Sequence, residues 1–375
     1  MTAFRVDDYR RLVVKVGSSL LIGADGHVDR AWLSGLCEDI AGLHRGDHEV
    51  LIVSSGAIAI GSTVLGINKR RAKLEDLQAA AAAGQVQLAH AYREALAAHG
   101  VTTAQVLLTP EDTENRRRFL NARGTLGRLI DRDVVPVINE NDTVATEEIR
   151  YGDNDRLAAR VAQLVMADAL VLLSDVDGLY TADPASDGGA DHIAEVTAIT
   201  EEILGMAGET RSDIGSGGMA TKVQAARIAT HAGCATVIAS GVVERPLTVL
   251  SGGGRCTLFR APATPAAARK QWLAGVLEVR GELRLDDGAV NALRGGNSLL
   301  PVGVVEAVGN FRRGDVVTLV DAAGNELGRG LAEYSYEDAV QLAGRRSENI
   351  EEVLGYRGRS VMVHRDELVI FESDS

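Results

Sequence analysis

Through residue 260 the chain alternates short β-branched apolar runs with longer stretches of helical periodicity. Strands are predicted at residues 11–16 (RLVVKV), 50–53 (VLIV), 103–108, 134–138 (VVPVI), 169–173 (ALVLL) and 235–239. Helices are predicted at 30–44, 74–98, 116–131, 155–166 and 219–231. Alternation of this kind predicts βαβ units. The strand runs have almost no polar interruption, as expected of parallel strands covered on both faces. The fold class read from the pattern is α/β, a mostly parallel open sheet flanked by helices.

The pattern breaks at 261–269 (APATPAAAR), where two prolines and small residues predict a linker over 261–279. Shorter strand-like runs follow at 281–285, 298–302, 303–308, 315–320, 327–332 and 360–364, with one short helix at 336–342. The expected organisation is a first domain over 1–260 and a small β-rich C-terminal domain over 280–358.

Composition narrows the class. Apolar residues make up 46% and charged residues 24% of 375, which is a globular balance. The net charge of −13 argues against nucleic acid as the main partner, so cations for an anionic ligand must be concentrated locally. No stretch approaches the roughly 18 apolar residues of a membrane span, and the charged N-terminus does not read as a signal peptide. A cytoplasmic protein without membrane partners is expected. Cys37, Cys234 and Cys256 are scattered and form no CxxC pair, so no zinc or disulfide framework is predicted. No residue set is assigned to a metal.

In open α/β sheets, ligands bind beyond the carboxyl ends of the strands, and the polar signals collect there. Lys15 lies among valines on a central strand and requires an anionic partner. Gly17 after it admits close backbone approach, and Ser18 and Ser19 supply donors. Ser54, Ser55 and Gly56 precede a helix and read as an anion site for a carboxylate or a phosphate, with an ordinary serine N-cap the alternative. Asn139, Glu140, Asn141 and Asp142 end the fourth strand, and Gly152, Asp153, Asn154 and Asp155 lead into a helix. Acidic groups there suit an ammonium or Mg²⁺, and amides suit a carboxylate. Ser174 and Asp175 end the fifth strand, and the run 215–222 (GSGGMATK) opens a helix with Lys222 in its first turn. A glycine-rich loop before a helix is a phosphate cradle, although 215–222 matches neither a Walker A loop nor a dinucleotide fingerprint. Two lysines, donor loops and carboxylates at one sheet edge are equipment for phosphoryl transfer. None of the eight histidines has an obvious nucleophile partner.

These segments resemble the amino acid kinase family: VKVGSS at 14–19, VSSGAI at 53–58, FLNAR at 119–123, VPVINEND at 135–142, YGDND at 151–155, GLYTADP at 178–184 and the run 215–222. SLLP at 298–301, Gly309-Asn310-Phe311 and IEEVLGY at 350–356 make the C-terminal domain similar to a PUA module. The resemblance implies transfer of the ATP γ-phosphoryl group to the γ-carboxylate of L-glutamate, the first step of proline biosynthesis. It implies catalytic roles for Lys15 and Lys222 at the transferring group, with Asp155 holding both lysines. It implies glutamate binding by Ser55, Asp142 and Asn154. ATP binding would involve Lys15, Ser174, Asp175, Ser216, Gly217, Gly218, Met219, Ala220, Thr221 and Lys222. Family members commonly carry Thr at the positions of Ser174 and Ser216; serine keeps the hydroxyl. Mg²⁺, proline as feedback inhibitor and a homo-oligomer are also implied. Family kinases acting on aspartate, N-acetylglutamate, carbamate or a nucleoside monophosphate are the alternatives. VPVINEND and a tail without paired βαββαβ units argue against them. RNA binding by the PUA-like module is the other alternative. Residues 280–358 hold nine arginines and no lysine against thirteen carboxylates, which disfavours it.

Overall fold

The computed structural model describes residues 4–69, 71–144, 154–184, 188–208, 218–276 and 278–371. The chain divides into two compact units, Met1–Glu114 with Asn121–Pro265, and Asn115–Leu120 with Ala266–Ser375.

The first unit is built on strands β1 (Arg11–Val16), β2 (Glu49–Val53), β3 (Thr102–Leu108), β4 (Val134–Glu140), β5 (Ala169–Ser174), β6 (Leu179–Tyr180), β7 (His192–Ile193), β8 (Glu195–Val196), β9 (Ala235–Ser240) and β10 (Cys256–Phe259). Among the described residues the main sheet runs β3-β4-β2-β1-β5-β9-β10-β8. Every neighbouring pair in it is parallel except β9–β10, and β6 and β7 form a separate antiparallel ribbon. β1 sits in the interior of the sheet, with Lys15 opposite Val53 on one side and Leu172 on the other. All six residues of β5 are buried, which accounts for its lack of polar alternation.

Helices cover the sheet with apolar stripes. In Arg30–Arg45 the buried positions Leu33, Leu36, Cys37 and Ile40 recur every three to four residues, and Asp29 caps the helix by accepting from Trp32 N. Helices Ala57–Leu65 and Leu74–Ala97 approach backbone to backbone. A Cβ added to Gly61 would lie 1.7 Å from Ala80 O, and one added to Gly84 would lie 1.9 Å from Ala57 O. No helix among the described residues is long and apolar enough to cross a membrane. The three cysteines are free thiols, with Cys37 and Cys234 buried.

The second unit carries β11 (Gly281–Leu285), β12 (Val304–Gly309), β13 (Val316–Val320), β14 (Glu326–Leu331) and β15 (Leu368–Ile370), ordered β12-β11-β13-β14-β15. Its core includes Leu283, Leu285, Phe311, Leu319, Leu342 and Val363. The runs at 298–302 and 360–364 read as strands from sequence but meet only in an isolated bridge, Leu299 to Val363. Pro301 opens a 3₁₀ turn instead. Within the stretch read as a linker, residues Pro265–Gly275 form a helix. Pro265 occupies its first position, where a missing N–H leaves no bond unmade. The unit also continues past 358, to β15.

Candidate functional site

Lys15 is the fifth residue of β1, and its Nζ lies 2.6 Å from Asp155 Oδ1. Asp155 is the second residue of helix Asn154–Val165. Its Oδ2 accepts from Thr221 Oγ1 at 2.9 Å and lies 3.5 Å from Lys222 Nζ. Thr221 and Lys222 both come from the first turn of helix Met219–His231. The three ionic side chains are nearly inaccessible, 6%, 1% and 5% exposed for Lys15, Asp155 and Lys222. Burial pushes the Asp155 carboxyl up, but the Lys15 and Lys222 ammonium groups outweigh it and hold the group below its ordinary value. One carboxylate therefore serves two cations, and the trio keeps a net positive charge in a desolvated place. A buried excess of positive charge is costly, and it is suited to an incoming anion.

Beside it runs a buried polar chain. Asn154 Nδ2 donates to Ser55 Oγ at 2.8 Å, to Ser54 O at 3.0 Å and to Asn139 Oδ1 at 3.2 Å. Asn139 Nδ2 donates to Gln85 Oε1 at 2.7 Å, and Ser54 Oγ donates to Tyr92 OH at 3.0 Å. Asn154 Oδ1 and Gln85 Nε2 are buried without a hydrogen-bond partner among the described residues. Sequence reasoning missed Gln85 and Tyr92, which sit on the Ala-rich helix Leu74–Ala97. Their spacing with Leu88, at i, i+3 and i+7 on the buried face, was the available signal.

The alternative of a serine N-cap at 54–56 does not hold. The helix Ala57–Leu65 is capped by Gly56 at φ 107°, in the left-handed region that favours glycine, and neither serine caps it. Ser55 instead faces Asn154. Gly17 is not demanded by its backbone angles, φ −72° and ψ 149°. A Cβ there would meet Leu173 O at 3.7 Å and Lys15 Nζ at 3.9 Å, ordinary contact distances, so its neighbours do not demand glycine either.

Asp142 lies in the 3₁₀ turn Asp142–Val144 after β4, which packs against helix Leu74–Ala97. No hydrogen bond joins Asp142 to Ser55 or Asn154. Burial pushes its carboxyl up to about 6. Ser174 Oγ donates to Asp175 Oδ1 at 2.9 Å. Asp175, Gly218, Met219 and Ala220 line a cleft of about 1250 Å³ whose far wall includes Val243, Pro246 and Leu250. Thr221 and Lys222 turn to Asp155 rather than into that cleft. Ser216 and Gly217, with Gly152 and Asp153, lie outside the described residues.

Two stretches of this chain match established families: residues 10–240 match the amino acid kinase family, and residues 275–354 match the PUA domain. The chain belongs to the amino acid kinase family. Among its relatives is a protein named glutamate 5-kinase in Rhodopseudomonas palustris (strain TIE-1), 54% identical over 371 residues, 99% of each chain. Proteins of the same name in Bradyrhizobium sp. (strain BTAi1) and Rhizobium rhizogenes (strain K84) are 53% and 52% identical. They align with 99% and 100% of this chain and with 98% and 96% of their own lengths. A solved UMP kinase from Ureaplasma parvum aligns with 69% of this chain and 100% of its own, at 16% identity and TM-score 0.46.

Proposed function

We propose that this protein transfers the γ-phosphoryl group of ATP to the γ-carboxylate of L-glutamate, giving L-glutamyl 5-phosphate, the first step of proline biosynthesis. The observation that carries the reading is the buried Lys15–Asp155–Lys222 trio beside the Ser55–Asn154 pair, in a chain alignable end to end with proteins of that name.

The acceptor needs no general base. A γ-carboxylate has an ordinary pKa of about 4.3 and is ionised at neutral pH. The difficulty is bringing two anions together, and preorganised cations address it. Asp155 holds Lys15 and Lys222 so that both ammonium groups reach the phosphoryl oxygens as charge shifts from the γ-phosphate to the leaving group. Asn154 Oδ1 and the Asp142 carboxylate are acceptors for the glutamate ammonium, and Ser55 donates to a glutamate carboxylate. Ser174, Asp175 and residues 216–220 hold ATP along the cleft beside Gly218, and Thr221 and Lys222 meet its γ-phosphate end at Asp155.

Mg²⁺ fits as a companion of the nucleotide. Among the described residues no group of three His, Cys, Asp or Glu side chains forms a metal cage, and both Asp155 oxygens face protein cations or Thr221. Mg²⁺ ordinarily keeps waters and binds through substrate phosphates. Bound there it would neutralise phosphate charge, with Asp175 the carboxylate at hand in the cleft. Feedback inhibition by proline and a homo-oligomer belong to the same reading through family resemblance. The first unit carries the chemistry, and the second supports assembly or regulation.

The test is ATP- and Mg²⁺-dependent acyl hydroxamate formation in hydroxylamine, which traps a carboxyl phosphate. L-Glutamate, L-aspartate, N-acetyl-L-glutamate and no acceptor are run together. Signal with glutamate alone is the expected result. Signal with another acceptor only would replace the substrate, and no signal with any acceptor from folded protein would end the kinase reading.

A further inference from the structure

The second unit holds a concavity of about 860 Å³, within the range of small-molecule pockets. Six arginines line it, Arg116, Arg117, Arg312, Arg313, Arg357 and Arg359, against the carboxylates Asp315, Glu333 and Asp338. The lining thus carries a net charge of three positive. The unit as a whole does not: residues 115–120 with 266–375 hold sixteen Lys and Arg against eighteen Asp and Glu. Positive charge is gathered here against the trend of the module.

The walls are built. Glu333 is a buried carboxylate with a 1% exposed side chain, and it holds two of the guanidinium groups. Arg359 Nη1 lies 2.7 Å from Glu333 Oε1, and Arg313 Nε lies 3.4 Å from Oε2. Arg359 is pinned further by donation to Leu120 O at 3.4 Å. Tyr334 backs the same wall, its hydroxyl donating to Arg359 O. A Cβ at Gly358 would fall 2.2 Å from that hydroxyl, so the chain there requires glycine. Asp315 anchors the opposite side, accepting from Arg312 N at 2.8 Å and standing 3.8 Å from Arg116 Nη1. Two guanidinium groups remain uncommitted. Among the described residues the side chains of Arg117 and Arg312 are exposed at the rim and make no hydrogen bond or ion pair, Arg312 meeting only the longer-range field of Glu337.

Fixed arginine forks with free arginines at the rim match the geometry of phosphate oxygens. We propose that this pocket is a second anion site, which binds a small polyphosphate-bearing ligand independently of the kinase centre. A long nucleic acid is the less suitable occupant. It needs an extended positive track, and the net negative charge of the module opposes one.

The test reads the arginines themselves. The full-length protein is modified with phenylglyoxal, and adducts are mapped by mass spectrometry with and without inorganic tripolyphosphate. Arg128, 82% exposed in the first unit, is the internal reference. The kinase trio contains no arginine, and Arg255, which lines the cleft beside Gly218, reports binding there separately from Arg117 and Arg312. Protection of Arg117 and Arg312 by about tenfold at tripolyphosphate well above Kd is expected, following 1 + [L]/Kd. Arg128 should be unprotected. R359A, which removes one fixed fork, should reduce that protection while the circular dichroism spectrum stays unchanged. Equal protection of Arg117, Arg312 and Arg128 would mean a general ionic effect and overturn the proposal. So would no protection, or protection by a mixed-sequence RNA dodecamer but not by tripolyphosphate.

Discussion

Asp155 and Asp142 are both buried carboxylates near one strand edge, and their environments drive them in opposite directions. Asp155 is held ionised by two lysines despite its burial, whereas Asp142 has burial alone. Each has its own pH signature. The lowered group stabilises the fold above the unfolded carboxylate value of about 3.9, and that stability is lost as pH falls towards its folded value. The raised group works the other way: stability declines as pH rises from about 4 to about 6, because only the unfolded chain ionises freely. At one pKa unit per roughly 1.4 kcal/mol, ionising Asp142 costs about 3 kcal/mol at neutral pH. Asp142→Asn should therefore raise the urea midpoint at pH 7, leave it nearly unchanged near pH 4, and raise the glutamate KM. A lower midpoint at pH 7 would contradict the burial argument. Asp155→Asn should destabilise by about 3–5 kcal/mol, since it removes the buried carboxylate that Lys15 and Lys222 share; denaturant unfolding measures this. Lys222→Ala should lower kcat by roughly 10²–10³ with a smaller change in glutamate KM, and a near-normal kcat would take Lys222 out of the reaction. In sequence, Lys15 announced itself by lying among valines. Its partner across the sheet edge did not, because nothing local ties residue 15 to residue 155. Only the family resemblance supplied that link.

At the scale of elements, the sharpest constraint is the contact between helices Ala57–Leu65 and Leu74–Ala97. Gly61 and Gly84 let the backbones touch, and Gln85 follows Gly84 directly, which brings its amide to Asn139. Gly84→Ala would drive a methyl into Ala57 O, a backbone atom that cannot swing aside. Overpacking of this kind costs about 1–3 kcal/mol or more. The expected outcome is a lower thermal midpoint together with a raised glutamate KM, because Asn139 and Asn154 shift with the helix. A normal KM in a destabilised variant would uncouple the packing from the site. Strands β1 to β5 and β9 were legible to within two residues at each end, most clearly where burial on both faces leaves an unbroken apolar run, whereas the short β8 and β10 were missed. The C-terminal strands were less so. Leu299 and Val363 are buried and apolar like strand residues, yet they share a single bridge, and apolar runs alone do not specify pairing. The helix at Pro265–Gly275 was hidden by its own composition, because alanine and proline read as a linker until proline is placed in the first turn.

On the scale of the whole chain, the two units do not follow one cut in sequence. Asn115–Leu120 belongs with Ala266–Ser375. Leu120 is buried there with Leu273, Val316 and Leu331. A chain ending at Pro265 would lose Leu273, Val316 and Leu331 and so uncover Leu120 and Phe119, and the expected outcome is aggregation on size-exclusion chromatography rather than a clean kinase fragment. A monodisperse, active fragment would show that the cluster is dispensable. Sequence composition located the change of architecture but could not reveal this return of an early segment, which is a tertiary fact. The interior position of β1 has one more consequence. Its amides are bonded on both sides and covered on both faces, so they should be among the last to exchange with deuterium. Asp155 and Thr221 sit instead in first helical turns, where amides lack acceptors within the helix and fraying begins. On warming, the cationic centre should come apart while the sheet still stands. Heat inactivation should therefore run several degrees ahead of the loss of ellipticity, so that the protein stops working before it melts.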